Sequence, residues 1–115
     1  GREISFDRVA GDVARISFAN LCETPLGARD YLAIAGRFAG LLIYHVPVLT
    51  SANEPAARRF MWMVDALYDR QRFLVASAAT DIANLYQGHN YSFEFERTRS
   101  RLGEMTHRGA HAEST

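Results

Sequence analysis

Lysine is absent from this chain of 115 residues, so all 13 basic residues are arginines. A phosphate-binding loop of the form G-x-x-x-x-G-K-[ST] needs a lysine that reaches the phosphates of a nucleotide. A Schiff base with a carbonyl substrate needs a lysine amine. Nucleotide hydrolysis by a P-loop and Schiff-base catalysis are therefore excluded from this segment.

Cysteine is almost absent as well, because Cys22 is the only one. A single cysteine excludes an intramolecular disulfide framework, favours an intracellular compartment and is most simply a small core residue. The 13 acidic residues balance the arginines to a formal net charge of zero, which argues against nucleic-acid or membrane binding driven by net charge. No apolar run approaches the roughly 18 residues of a membrane-spanning helix. We expect a cytoplasmic protein without nucleic acid as a partner and without direct membrane insertion.

The stretch from Ala57 to Ala78 is the most strongly patterned part of the chain. Its apolar residues recur at i, i+3, i+4 and i+7, which predicts a helix with one buried face. The run Phe73 to Ala76 that follows is almost wholly apolar and predicts a β-strand covered on both faces. Ser51 with Glu54 three residues later has the form of a capping box, and Asn53 is an alternative cap for the same helix.

The amino-terminal half predicts a hairpin, a helix and a strand. Extended runs at residues 2–9 and 13–18 predict a β-hairpin, with Gly11 at a turn position that needs a positive φ. After a loop at residues 20–25, helical spacing begins at Leu26 and ends at Gly40, which we interpret as a C-terminal cap. Residues 41–46 then predict a buried strand.

The carboxyl-terminal part predicts one more helix and a tail. The helix begins at Ser92, and one apolar face joins Phe95, Thr98, Leu102 and Met105. Residues 107–115 are small and polar, which predicts disorder, and residues 1–106 are expected to form one domain. Hairpin, helix, strand, helix, strand and helix in this order predict an α/β fold: a small, mostly parallel sheet with an amino-terminal β-hairpin and flanking helices.

The candidate functional residues are four arginines, because a guanidinium group is always charged and binds phosphate bidentately. Two lie at the start of the central helix and two lie one turn apart on the last helix: Arg58, Arg59, Arg97 and Arg101. Their expected roles are nucleotide sensing or subunit contact. The alternative is a solvated charged surface in which these arginines pair with nearby acids of their own helices, namely Glu54, Glu94 and Glu104.

Other chemistry-bearing residues give weaker patterns. His45 ends a buried strand, where ligands of parallel sheets bind, although a half-buried structural histidine is the alternative. Asp65 and Asp69 lie one turn apart, and we interpret them as an ordinary exposed edge. The four histidines show no metal-ligand spacing, and Ser77 lacks the glycines of a nucleophile elbow. No metal site and no catalytic residue is expected.

Three motifs resemble one family: LC-x2-PLGA-x-DY, ARRF-x4-DALYD and FERT-x-SRL-x-EM. In order and spacing they are similar to the C-terminal third of the ZapE-type ATPases, whose mitochondrial relatives are the lactation-elevated-type proteins. The resemblance implies an AAA-like P-loop ATPase that binds and hydrolyses ATP with magnesium. It also implies a protein that is cytoplasmic or associated with the division machinery at the inner membrane.

The resemblance places the phosphate-binding loop and the magnesium-binding strand upstream of this segment. We therefore expect a non-catalytic fragment that is inactive alone and holds no cofactor, with ATP and magnesium implied for the full-length parent. The implied partners are the rest of the parent ATPase, a further copy in a homo-oligomer, and a division-machinery protein. The alternative function is an autonomous protein-interaction domain that docks the ATPase to a partner.

A second, looser similarity concerns the fold. A strand, a helix and a strand followed by Ser100-Arg101-Leu102 resemble the second half of an AAA core, with Arg101 in an arginine-finger-like place. The first of these strands ends in Tyr44-His45-Val46-Pro47 and lacks the acids that hold magnesium. The segment is therefore expected to be a degenerate P-loop-like lobe. Antiparallel pairing of its two buried strands would contradict that hypothesis.

Overall fold

The computed structural model describes residues 4–109 and 113–114. Its strands are β1 Arg8–Ala10, β2 Val13–Ser17, β3 Gly40–Val46, β4 Leu49–Thr50, β5 Phe73–Ala78, β6 Tyr86–Gln87 and β7 Glu113–Ser114. Its helices are α1 Phe18–Cys22, α2 Ala28–Arg37, α3 Glu54–Asp69 and α4 Ser92–Gly109, with short 3-10 turns at Ser51–Asn53 and Ile82–Asn84.

The main sheet has five strands in the order β1-β2-β3-β5-β7. Strand β1 pairs antiparallel with β2, and β2, β3 and β5 pair parallel to one another. Gly11 has a φ of 62° in the turn between β1 and β2, a conformation that glycine adopts without steric cost. The predicted hairpin and the predicted mostly parallel α/β sheet are therefore confirmed, including the parallel pairing of the two buried strands.

All the crossover helices lie on one face of this sheet. The connections from β2 to β3 and from β3 to β5 step in the same direction, and right-handed crossovers in one direction place their helices on the same side. Helices α2, α3 and α4 pack beside one another there, over a core that includes Ile16, Leu41, Ile43 and Leu74. The opposite face carries half-exposed side chains such as Leu42.

The expectation that the Phe73–Ala76 strand is covered on both faces is wrong for the described part of the chain. In β5 only Leu74 is fully buried, while Phe73 and Val75 are half-buried. The nearly continuous apolar run predicts two covered faces, but the described residues supply helices for only one of them.

Boundaries in the first half differ from the sequence prediction. The first strand is Arg8–Ala10, and residues 4–7 of the predicted extended run 2–9 lie outside any strand. Residues 18–22 form the short helix α1 instead of a strand end and loop, because the Ser17 hydroxyl accepts a hydrogen bond from Asn20 N at 3.1 Å and caps the turn. Helix α2 ends at Arg37, so Gly40 is not its cap. Gly40 instead begins β3, where a Cβ atom would lie 2.3 Å from the Phe73 ring.

Replacing Gly40 with alanine should therefore destabilise the domain through crowding against the Phe73 ring. We expect a loss of about 1–3 kcal/mol in the free energy of unfolding, as for other overpacked sites. Urea denaturation of Gly40→Ala, Phe73→Leu and the double variant measures it. Since the smaller side chain relieves the clash, the double variant should recover part of the loss, and strictly additive effects would contradict this explanation.

The start of α3 also differs from the prediction. Asn53 occupies the N-cap position, but its Oδ1 accepts from Thr50 N at 2.6 Å across the preceding 3-10 turn. The Thr50 hydroxyl in turn accepts from Ala52 N at 3.1 Å. The proposed capping box of Ser51 and Glu54 is therefore wrong, and the Glu54 side chain is used elsewhere.

Helix α4 confirms the predicted apolar face, since Phe95, Thr98, Leu102 and Met105 are all buried. The helix continues to Gly109, and Glu113–Ser114 pairs parallel with the end of β5. Residues 110–112 and 115 of the predicted disordered tail lie outside the described residues, so the disorder of that tail stays a prediction.

Candidate functional site

An outward stripe of α3 carries the first candidate arginine. Arg58, Trp62 and Asp65 lie at i, i+4 and i+7 and so share one helix face. The exposed Arg58 guanidinium lies 4.5 Å from the centroid of the Trp62 ring, a cation–π geometry that fixes the arginine and leaves its N–H edge open. The structure thus supports an arginine held in place on the surface.

Asp65 forms ion pairs with both candidate arginines of α4, Arg97 and Arg101. Its Oδ1 lies 2.8 Å from Arg101 Nη1, and its Oδ2 lies 3.1 Å from Arg97 Nη2. The Arg101 guanidinium also stacks at 4.4 Å over the Tyr68 ring. The interpretation of Asp65 as an ordinary exposed edge is therefore wrong, because its side chain is 27% exposed and bridges two helices.

The two candidate arginines of α4 differ in how much of the side chain is exposed to solvent. The Arg101 side chain is 23% exposed and is enclosed by Asp65 and Tyr68. The Arg97 side chain is 61% exposed, and in the described part of the chain its ion pair is with Asp65 and not with Glu94 of its own helix. Of these two candidates, Arg97 is thus the one that presents more of its guanidinium group at the surface.

These contacts define one surface, which we call the arginine strip: Arg58, Trp62, Asp65, Tyr68, Arg97 and Arg101. Three arginines and one carboxylate belong to this set, and a second carboxylate, that of Glu104, accepts a hydrogen bond from the Tyr68 hydroxyl at 3.1 Å beside it. Guanidinium groups held by aromatic rings and a shared carboxylate suit the recognition of phosphate or carboxylate oxygens.

Arg59 does not belong to the strip. Its Nη1 donates to the carbonyl of Cys22 at 3.2 Å and its Nε donates to the carbonyl of Leu26 at 3.3 Å. These bonds tie the loop between α1 and α2 to α3, so Arg59 has a structural role. Cys22 beside it is fully buried, and burial raises the pKa of its thiol, as expected for a core cysteine.

His45 lies at the carboxyl end of β3, as predicted, but the alternative of a half-buried structural histidine is wrong. It is exposed, not half-buried, and it has a φ of 59° at an irregularity in the pairing of β3 with β5. Next to it, the Tyr44 hydroxyl bonds the Asp7 carboxylate, and this hydrogen bond raises the pKa of Tyr44. The Arg15 guanidinium stacks over the Tyr44 ring at 4.2 Å.

A buried carboxylate, Glu54, is the polar feature that sequence patterns missed. It accepts hydrogen bonds from the Tyr86 hydroxyl at 2.6 Å and from the amides of His89 at 2.8 Å and Asn90 at 2.9 Å. Burial raises the pKa of Glu54, but these hydrogen bonds outweigh it and the net shift is downward. Gly88 could have signalled the contact, since a Cβ there would lie 2.7 Å from the carboxylate.

The carboxyl ends of β3 and β5, where ligands of parallel sheets bind, do not fit ATP with magnesium. A cavity of about 350 Å³ lies there, and no arginine is among the described residues that line it. Its lining is mostly apolar, and the carboxylate of Asp81, one of the lining residues, accepts a hydrogen bond from Asn84 N at 3.1 Å. Within the described ranges no cluster of histidine, cysteine and acidic residues is arranged to hold a metal ion.

The chain is similar to proteins of an ATPase family. A family profile described as AFG1-like ATPase matches residues 1–113. The "Cell division protein ZapE" of Escherichia coli is 39% identical over 97 residues, which are 84% of this chain and 26% of the relative. The "Lactation elevated protein 1 homolog B" of Danio rerio is 38% identical over 105 residues, which are 91% of this chain and 21% of the relative.

A third relative, an uncharacterized protein of Schizosaccharomyces pombe, is 33% identical over 75% of this chain and 19% of its own length. The chain therefore spans about a quarter or less of the curated relatives that it matches. No solved structure matches it. Among the described helices, none combines the length and apolar character needed to cross a membrane.

Proposed function

This chain belongs to the AFG1-like ATPase family, and from that premise we propose that it is a non-catalytic lobe of a longer ATPase. The lobe supplies arginines of the strip to nucleotide sensing or to subunit contact. ATP and magnesium are bound by the full-length parent, outside this segment. The parent works in the cytoplasm, and the name of its Escherichia coli relative suggests a role in cell division.

The observation that carries this proposal is the shared carboxylate of Asp65. It fixes Arg97 and Arg101 across α3 and α4 while the Arg97 side chain remains 61% exposed. An arginine that is both oriented and accessible suits a transition-state or phosphate contact, because little side-chain freedom remains to be lost on binding. The apolar cavity at the strand ends supports the non-catalytic part of the proposal.

The test uses single arginine variants of the full-length ATPase. Arg97→Ala and Arg58→Ala should lower ATP turnover roughly tenfold or more, a modest figure beside the effect of known arginine fingers, while ATP binding is kept. Arg37→Ala is the matched control. Arg37 is also an exposed helical arginine, but it belongs to α2, and its guanidinium carbon lies 4.6 Å from the centroid of the Phe38 ring. Turnover unchanged in both strip variants would contradict the proposal.

The second candidate function is an interaction domain that docks the ATPase to a protein partner, such as a component of the division machinery or a further copy of the ATPase. One observation favours it: Phe93, in the first turn of α4, is 87% exposed. A large exposed aromatic side chain is typical of an interface anchor. Under this alternative, Phe93→Ala abolishes partner binding measured by co-sedimentation and leaves ATP turnover unchanged.

A further inference from the structure

One face of the main sheet is bare in the described part of the chain. Arg15, Leu42 and Val75 are neighbours across β2, β3 and β5, since Arg15 pairs with Leu42 and Leu42 with Val75. All three side chains are at least partly exposed. No described helix packs on this side of the sheet, because α2, α3 and α4 form one layer on the other side.

The centre of this bare face is apolar and its edge is polar. A shallow depression of about 400 Å³ is lined by Arg15, Leu42, Tyr44, His45, Val75 and Ser77. The Arg15 guanidinium lies over the Tyr44 ring and pairs with Asp7 at 3.6 Å, so the polar edge is largely satisfied within the chain. What is left open is the apolar surface of Leu42 and Val75.

The topology explains why the described helices do not cover this face. Strands β2, β3 and β5 follow one another in a single direction, so every right-handed crossover places its helix on the same side. Sheets of parallel strands are found with both faces covered, usually by helices. The missing helices must therefore come from outside this segment, and the family relatives are about four times as long as the part that matches.

We propose that the bare sheet face is the docking surface for an α-helix of the upstream, ATP-binding part of the same full-length polypeptide. The apolar side of that helix covers Leu42 and Val75, and its polar border meets Arg15 and His45. This inference rests on the proposed function only in taking the chain as a lobe of a longer ATPase. It assigns the arginine strip and the sheet face to opposite sides of the lobe, one open to ligands or neighbours and one joined to the parent.

Thiol labelling of the full-length protein tests the proposal. Single reporters Leu42→Cys and Val75→Cys are placed on the face, with other reactive cysteines of the full-length protein replaced by serine. Leu32→Cys is the matched control, because Leu32 is 51% exposed on the outer side of α2. Cys22 gives little background, since it is fully buried and burial raises its pKa.

The expected result is maleimide labelling roughly tenfold or more slower at both face positions than at the control, with the difference lost in denaturant. Equal rates at all three positions would overturn the proposal. Protection that fades on dilution would also overturn it, because it would mean that a second copy covers the face. The readout involves no ATP turnover, so failure of the arginine variants and failure of this docking surface are separate outcomes.

Discussion

Replacing Glu54 with alanine is expected to lower the free energy of unfolding by about 3 kcal/mol or more. The carboxylate is the acceptor for the Tyr86 hydroxyl and for the amides of His89 and Asn90. Alanine would leave a buried hydroxyl and two partly buried amides without this partner, and each hydrogen bond to a charged group contributes about 1.5–3 kcal/mol. The segment between β6 and α4 is held to the start of α3 by these bonds, so its order should be lost first.

Two variants separate the charge of Glu54 from its shape. Glu54→Gln keeps the size and one acceptor oxygen, and we expect it to cost about 1–2 kcal/mol. Glu96→Ala is the surface control, because the Glu96 side chain is 73% exposed and, among the described residues, its ion pair is with Arg99 of its own helix. Urea denaturation measures all three, and a loss for Glu54→Ala no larger than for Glu96→Ala would refute the role of this network.

The stability difference between the wild type and Glu54→Gln should depend on pH, and the direction follows from the pKa of Glu54. The pKa of Glu54 is lower in the folded protein than its ordinary value of about 4.3, so folding is favoured by its ionised form. Its contribution is fully present above the unfolded pKa and is lost as the pH falls through the folded pKa. The stability difference between the wild type and Glu54→Gln should be constant from about pH 7 to 5 and shrink below about pH 4.

The elements that the sequence predicts well are those with a strong period. The i, i+3, i+4 and i+7 pattern of α3 and the apolar run of β3 reflect burial, and burial decides where long elements form. The apolar run of β5 predicts the strand itself, although only Leu74 in it is fully buried. Short elements and element boundaries depend on single contacts. Helix α1 depends on the hydrogen bond that caps it at Ser17, and β3 begins at Gly40 because the Phe73 ring occupies the space of a Cβ atom. Neither contact leaves a periodic signal.

The candidate site, too, could be predicted only in part from the sequence. The residue types of the four arginines can be recognised from the sequence, but their partners come from other elements. Arg97 and Arg101 meet Asp65 across more than thirty positions of chain, and Arg59 meets two carbonyl groups that carry no side-chain signal. Local spacing therefore predicted pairs within one helix, whereas packing of α3 against α4 determines which arginine stays accessible.

Phe60→Ala is expected to cost about 3–5 kcal/mol of unfolding free energy, as for other buried phenylalanines. Phe60 is 1% exposed, and its ring centroid lies 6.0 Å from that of Phe18 and 6.4 Å from that of Phe95, so it joins α1, α3 and α4. It also lines the apolar cavity of about 350 Å³ at the strand ends. Removing the ring enlarges a cavity that already exists, so the surroundings cannot collapse to fill it.

The matched control is Phe93→Ala, which removes the same atoms from a side chain that is 87% exposed. It should change stability by less than about 0.5 kcal/mol, and Phe60→Leu should fall between the two. Because Phe95 positions α4 against Phe60, loss of the ring should also loosen the contact that holds Arg97 and Arg101 at Asp65. In the full-length ATPase, Phe60→Ala should then reduce turnover at temperatures where the protein is still folded, whereas normal turnover would show that the arginine strip does not depend on this packing.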